Sequence, residues 1–186
     1  STMTMKLDLP NFADDIRKLV TEGGSHPPVE TWRPERVGEI DIRIDRSGKW
    51  FYQGSEMERE SVVRLFSTIL RLDDDGYCLV TPAEKMKIEV DDVPFIIRLM
   101  DVEGTGDKQR IHFSSNVGDH FSLDEIHPLI VLAGAAGDAV PYVTVRRNLK
   151  AKLATTVYYE LAELTVSNDK TGQLGVWSQG TFFNLG

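Results

Sequence analysis

Tyr77-Cys78-Leu79-Val80 and Tyr142-Val143-Thr144-Val145 stand about 65 residues apart, and the chain beyond each matches at nearly the same spacing. Lys85-Met86-Lys87-Ile88 falls on Lys150-Ala151-Lys152-Leu153. After a one-residue deletion, Val93, Phe95 and Ile97 fall on Val157, Tyr159 and Leu161, Val102 on Val166, Gln109 on Gln173, Phe113 on Trp177 and Ser114 on Ser178. A block of about 40 residues thus recurs. Weaker echoes lie upstream: Trp50-Phe51 in His120-Phe121, and the segment 58–70 in a shortened counterpart near 124–135. Alternating apolar residues in any two strands explain the aliphatic matches. They do not require matched tyrosines, lysines paired at i and i+2, and matched loops. The repeat predicts two related α+β units, 38–116 and 117–186, each a curved antiparallel sheet with a short helix. A helix and an extended arm over 1–37 precede them.

Local pattern fills in the elements. Phe12, Ile16, Leu19 and Val20 have helical spacing over 11–22, stopped by Gly23-Gly24. Residues 23–38 read as an extended arm pinned by Trp32. Ile40, Ile42 and Ile44 alternate with charged residues as a half-buried strand does, Arg46-Ser47-Gly48 turns the chain, and Trp50-Phe51-Tyr52 returns it. Val62, Leu65, Phe66, Ile69 and Leu70 predict a helix over 58–70. Strands are expected at 77–81, 84–90, 94–103, 109–115, 119–123, 140–147, 149–154, 157–166, 173–178 and 181–185. One or two helical turns interrupted by Pro128 are expected over 126–135. Gly104-Thr105-Gly106-Asp107 and Asn168-Asp169-Lys170-Thr171-Gly172 read as hairpin loops. Gly134-Ala135-Ala136-Gly137 reads as a close-packed connection between the units.

Composition narrows the function classes. The 186 residues suffice for a core without staples, and the single cysteine, Cys78, excludes a disulfide framework or a cysteine-rich zinc site. A net charge of −8 argues against broad nucleic-acid binding. No apolar run approaches the ~20 residues of a membrane span. No signal-peptide pattern is visible, so the cytoplasm is the expected compartment.

Candidate chemistry is sparse. Arg146, Arg147, Lys150 and Lys152 lie close together with no acid among them, a local reversal of sign in an acidic chain. As one strand, Thr144, Arg146, Asn148, Lys150 and Lys152 would share a face. With Arg147-Asn148 as a hairpin turn and Asn148 left-handed, the cations would cluster near the turn. Either arrangement suits a phosphate or carboxylate, or a solvated face that meets the protein's own acids. Trp50, Phe51, Tyr52, Tyr142, Tyr158, Tyr159 and Trp177 form an aromatic strand set, some core and some able to stack on a base. His120 and His127 match no zinc spacing, though Asp119, Asp124 and Glu125 lie nearby. Cys78 or Ser115 with a histidine and Asp119 is a conceivable nucleophile, without an elbow motif to support it. Asp73-Asp74-Asp75-Gly76 lacks the closing glutamate of a calcium loop and reads as a solvated turn.

The run Ile40-Asp41-Ile42-Arg43-Ile44-Asp45-Arg46-Ser47-Gly48-Lys49-Trp50-Phe51-Tyr52-Gln53-Gly54 resembles the opening of the bacterial Domain of Unknown Function family 1285. The resemblance continues through Leu65-Phe66-Ser67, Gly76-Tyr77, Leu79-Val80-Thr81-Pro82 and Glu84-Lys85. It resumes at Phe113, Asn116, Gly118-Asp119, His127-Pro128-Leu129 and Pro141-Tyr142-Val143, and ends with Leu174-Gly175-Val176-Trp177-Ser178 and Phe182-Phe183. It implies a duplicated core and a C-terminal half superficially similar to pleckstrin-homology folds. It also implies a nucleotide-like ligand site between the halves, and a part in bacterial signalling. It brings no catalytic residues. Asn148 and Lys150 stand where relatives are expected to carry glycine and an acid.

The reading that results leans against an enzyme. It is a module that binds a small anionic, nucleotide-like ligand at the junction of two units, with no certain cofactor and no metal. Arg43, Arg146 and Lys150 would neutralise phosphate; Trp50, Tyr52 or Tyr142 would stack on a base; Asn116, Asp119 or His127 would bond a sugar or base edge. The alternatives are a protein–protein interaction module without a small ligand, and a hydrolase or transferase at the same junction.

Overall fold

The structure, a computed structural model, describes residues 3–23 and 26–186. The chain divides into two compact units, Ser1–Asp92 and Val93–Gly186.

The first unit runs β1 (Met3–Met5), α1 (Leu9–Gly23), β2 (Arg36–Ile44), β3 (Trp50–Tyr52), β4 (Ser55–Glu56), α2 (Glu60–Ser67), β5 (Leu70–Asp73), β6 (Gly76–Val80) and β7 (Glu84–Val90). The alternation at Ile40, Ile42 and Ile44 makes β2 the central strand, with all three isoleucines buried. β3 and the short β1 lie along one side of it and β7 along the other, giving the order β4-β3-β2-β7-β6-β5. α1 turns Phe12, Ala13 and Ile16 inward, and the Phe12 ring meets Phe66 of α2 edge-on at 5.3 Å. Trp50, Ile69, Leu70, Leu79 and Met86 complete the core.

The second unit runs β8 (Phe95–Glu103), β9 (Arg110–Ser115), β10 (His120–Ser122), β11 (Leu129–Ala133), β12 (Ala139–Arg146), β13 (Leu149–Leu153), α3 (Thr155–Ala162), β14 (Val166–Ser167), β15 (Leu174–Ser178) and β16 (Thr181–Asn184). Its main sheet has the order β10-β9-β8-β13-β12-β11, and β14-β15-β16 form a smaller antiparallel one.

The duplication is visible as topology. In each main sheet six consecutive strands place the first beside the last, in parallel, at the centre: β2 with β7 and β8 with β13. Hairpins then extend outward on both sides. The match of Tyr77 to Tyr142 and of Lys85 and Lys87 to Lys150 and Lys152 pairs β6 with β12 and β7 with β13, which hold the same places in the two orders.

Several expectations change. The sheets are mixed and not purely antiparallel, because the central pairs are parallel. β8 and β9, expected in the unit 38–116, pair with each other, and β8 pairs with β13, so both belong to the second unit. The segment 157–166 is largely α3. Val157 and Leu161 are buried four residues apart while Tyr159 is 67% exposed, so the period is that of a helix. Phe95, its partner in the repeat alignment, is buried in β8, so that part of the alignment joins unlike elements. The segment 126–135 is not helical. Pro128 stops any helix, and the residues after it form β11 against β12. The expected helix 58–70 ends at Ser67, and β5 begins at Leu70. Gly134 and Gly137 lie in the β11–β12 hairpin loop and join no units: Gly134 N donates to Asp138 O at 2.7 Å. The arm is held by buried Val29 and by Arg71, whose Nη1 donates to the carbonyls of Val29 (2.8 Å) and Trp32 (2.7 Å). The Trp32 side chain stays partly exposed. Among the described residues no helix is long and apolar enough to cross a membrane.

Candidate functional site

Three of the predicted residues meet in the second unit around the turn between β9 and β10. Asn116 extends the sheet ladder at the start of β8: its backbone N donates to Ile96 O (2.9 Å), and its Oδ1 accepts from Ile96 N (3.0 Å). The Ser115 hydroxyl donates to Asp119 Oδ2 (3.3 Å) and accepts from the backbone N of Val117 and Asp119. It is thus occupied as a turn-forming group. Arg146, at the end of β12, brings Nη2 to 3.6 Å from Asp119 Oδ2 and lays its guanidinium carbon 5.0 Å from the centre of the Phe95 ring. Both charged side chains are about nine-tenths buried. Burial pushes the Arg146 pKa down from its usual value, and Asp119 opposes that. Arg146 is a packed, charge-matched group here and not an open phosphate clamp.

A second group lies on the β12–β13 hairpin. Arg147 carries the left-handed φ of 52° in its turn, a role expected of Asn148. The register sets Tyr142 opposite Lys152 and Thr144 opposite Lys150. Val143, Leu149, Ala151 and Leu153 bury the other face, so Tyr142, Thr144, Lys150 and Lys152 share one side of the sheet. Among the described residues neither lysine makes an ion pair. The counterpart pair in the first unit is neutralised. Lys85 Nζ lies 2.7 Å from Asp73 and 3.1 Å from Asp75, and Lys87 Nζ lies 2.9 Å from Asp75. Those two lysines hold the Asp75 carboxyl down at about 2. The Asp73–Gly76 turn is therefore an ion-pair hub and not simply a solvated turn.

The remaining predicted residues lie elsewhere and are engaged. Arg43 grips Asp91 with two hydrogen bonds (2.9 and 2.5 Å). Trp50 is 1% exposed in the first core and has no face to offer a ligand. The Tyr52 hydroxyl accepts from Leu7 N at 3.1 Å. His127 Nδ1 bonds Asp124 (2.9 Å), its ring lying 4.9 Å from that of Phe121. His120 bonds Ser114, so the histidines do not converge, and among the described residues no group of three metal-ligating side chains forms. Cys78 is fully buried, and desolvation pushes its thiol up to about 11, which leaves no thiolate at neutral pH.

Two features escape the sequence. Ser122 Oγ lies 2.8 Å from His112 Nδ1, whose Nε2 lies 2.6 Å from Glu103 Oε1, a serine–histidine–acid line across β10, β9 and β8. Arg110, the stronger influence, and His112 hold the Glu103 carboxyl below its usual range. Strand alternation signals this line, since His112 and Ser122 are register partners. The second feature is a cleft of about 800 Å³ framed by residues of the two predicted hairpin loops, 104–107 and 168–172, with Trp177 and Gln109 in its lining. No spacing rule brings those loops together.

Residues 27–93 match the family model described as domain of unknown function (DUF1285), N-terminal domain, and residues 94–185 match protein of unknown function (DUF1285), C-terminal domain. The chain belongs to the DUF1285 family. The two DUF1285 models meet at 93/94, next to the division of the chain into compact units. The chain is similar to the crystal structure of a DUF1285 family protein from Silicibacter pomeroyi DSS-3, with 40% identity and a TM-score of 0.87, over 97% of this chain and 96% of that one. It is also similar to a DUF1285 family protein from Shewanella baltica OS155, with 27% identity and a TM-score of 0.52, over 66% of this chain and 90% of that one. No curated protein matches it.

Proposed function

We propose that this DUF1285 protein is a non-enzymatic module that binds a small anionic, nucleotide-like ligand, and that the face built by Tyr142, Thr144, Lys150 and Lys152 takes the anion. One contrast carries the reading. The repeat places two lysines at i and i+2 in both units; in the first they are saturated by Asp73 and Asp75, and in the second no acid meets them. A phosphate would replace the missing carboxylates as partner of Lys150 and Lys152. Thr144 would add a hydroxyl donor, and the Tyr142 ring, opposite Lys152, would pack a base. Occupancy would then be read by a protein partner.

A thermal-shift panel at low salt tests this, with mono-, di- and cyclic nucleotides, nicotinamide and flavin cofactors, and inorganic phosphate. A ligand at ~100 times its dissociation constant adds about 2.7 kcal/mol, a shift of several degrees for a chain this size. The expected result is a shift by one nucleotide class, abolished in Lys150→Ala/Lys152→Ala and retained in Lys18→Ala. A flat panel at millimolar ligand overturns it.

A protein-binding reading has its own support. β11 is the edge of the second main sheet and leaves Ile130 40% and Leu132 52% exposed. An added partner strand would cover both. A polypeptide captured through this edge, and lost with Leu132→Lys, would favour it.

A further inference from the structure

Ser122 and Ser114 each face a histidine across the β9–β10 hairpin, but an acid completes only one of the two pairs. The ladder explains the pairing. Ser115 N donates to Asp119 O and Leu123 N to Ile111 O, so the rows between them alternate. Ser122–His112 and Ser114–His120 fall in the non-hydrogen-bonded rows. Side chains in such rows lie closest, with Cα atoms about 4.5 Å apart. Ser122 Oγ comes to 2.8 Å from His112 Nδ1, and Ser114 Oγ to 2.9 Å from His120 Nδ1. Ile111, Phe113 and Leu123 bury the opposite face, which leaves both pairs on the outer one.

The difference lies at the second ring nitrogen. His112 Nε2 meets Glu103 Oε1 at 2.6 Å, and Arg110 Nη2 holds the other carboxylate oxygen at 2.7 Å. An ionised carboxylate only accepts. Glu103 therefore keeps the proton of the neutral imidazole on Nε2, which leaves the lone pair on Nδ1, and the Ser122 hydroxyl donates to it. A serine that donates to a histidine fixed in this tautomer has its base in place. His120 has no acid at Nε2 among the described residues, so nothing fixes its tautomer. β10 is also an edge strand. In its non-hydrogen-bonded row the Ser122 N–H points away from β9 and out of the sheet edge, where a carbonyl oxygen can reach it.

We propose that Ser122 is a nucleophile that accepts an acyl group from an activated donor, a thioester or an acyl phosphate. Ser122 Oγ would bond the carbonyl carbon while its proton passes to His112 Nδ1. The Ser122 N–H would hold the carbonyl oxygen as that atom gains charge. The bond from the carbonyl carbon to the leaving sulfur or phosphate oxygen then breaks, and the leaving group departs with the proton from His112. A single N–H is a weak cradle for an oxyanion, so the donor needs a good leaving group and the serine ester persists. Ser122 thus takes one acyl group per chain without turnover, in keeping with a non-enzymatic module. Glu103 is a positioning residue. The site uses no residue of the lysine face, so it stands or falls separately from the anion-binding proposal.

Peptide mass mapping of the full chain after timed exposure to p-nitrophenyl acetate, an activated acyl donor, tests it. Ser122 should be acetylated about tenfold or more faster than Ser114, which has a histidine but no acid. That comparison is internal to the parent chain and needs no variant. Glu103→Gln should erase the difference with an unchanged thermal midpoint. Arg110 would take the amide oxygen, the amide N–H would turn to His112 Nε2, and the imidazole proton would move to Nδ1, where it blocks the base. Glu103→Gln/Arg110→Leu frees the amide to turn its oxygen to His112 and should recover part of the rate, which a merely structural role of Glu103 would not do. An unmodified Ser122 overturns the proposal. So does a Ser122 no faster than Ser114, or full Ser122 reactivity in Glu103→Gln.

Discussion

Arg146 lays its guanidinium over the ring of Phe95, 5.0 Å from its centre, although β13 lies between their strands. A register shift between Thr144 and Arg146 makes this contact. Thr144 faces Lys150, but Arg146 faces Leu149, on the side shared by Ala151 and Phe95.

Asp119 supplies the carboxylate for that turned-in guanidinium. Asp119→Asn should therefore lower stability by about 2 kcal/mol, the cost of leaving a largely buried cation without its acid. Adding Arg146→Met should restore most of the loss, since an apolar side chain over Phe95 needs no counter-charge. Urea unfolding of the two variants measures both.

The Asp75 carboxyl, held at about 2 by Lys87 and Lys85, stabilises the fold wherever it is ionised. Its folded pKa lies below its unfolded value of about 3.8. The contribution is complete above that value and is lost as pH falls from there through about 2. Thermal midpoints of Asp75→Asn should fall below the parent at pH 6 and converge with it near pH 2. A gap that stays constant across that range would contradict the assignment.

Cys78, with its thiol raised to about 11 in a fully buried site, should resist a disulfide reagent at pH 8. One equivalent should react promptly once the chain is unfolded in urea. The slow native rate then reports opening of the β5–β6–β7 region.

Gly175 lies in the middle strand of the small sheet, and a Cβ there would come 2.0 Å from Phe183 O and 2.8 Å from the Phe182 ring. Gly175→Ala should cost about 3 kcal/mol, because backbone must move. Gly180→Ala, at φ +77° with open space around it, should cost only about 1 kcal/mol of backbone strain. Comparing their unfolding midpoints separates crowding from conformation.

The sequence showed strands best where one face is buried throughout. Ile40, Ile42 and Ile44 gave both the element and its inward side. It misled where two periods share residues. Val157 and Leu161 fit a strand and a helix equally, and only the exposure of Tyr159 decides between them. Alternation told that some of Trp50, Phe51 and Tyr52 must be core, but not which. Of the basic stretch, Thr144, Lys150 and Lys152 lie on one face, as they would in a single strand, although a hairpin brings them there, whereas the shift beyond Thr144 removes Arg146 from it. Such a bulge has no residue signature here. The partnership of Arg146 with Asp119, from a hairpin turn far back in the chain, is equally invisible to local pattern.

The parallel central pairs set the timetable of synthesis. A growing chain can make its β5–β6 or β9–β10 hairpin as soon as those residues emerge, but β2 waits for β7 and β8 waits for β13. The first sheet cannot close until residue 90 has left the ribosome, nor the second until residue 153. Until then Ile40, Ile42 and Ile44 stand beside a vacant edge, so a nascent chain paused between 45 and 84 is the form most in need of a chaperone.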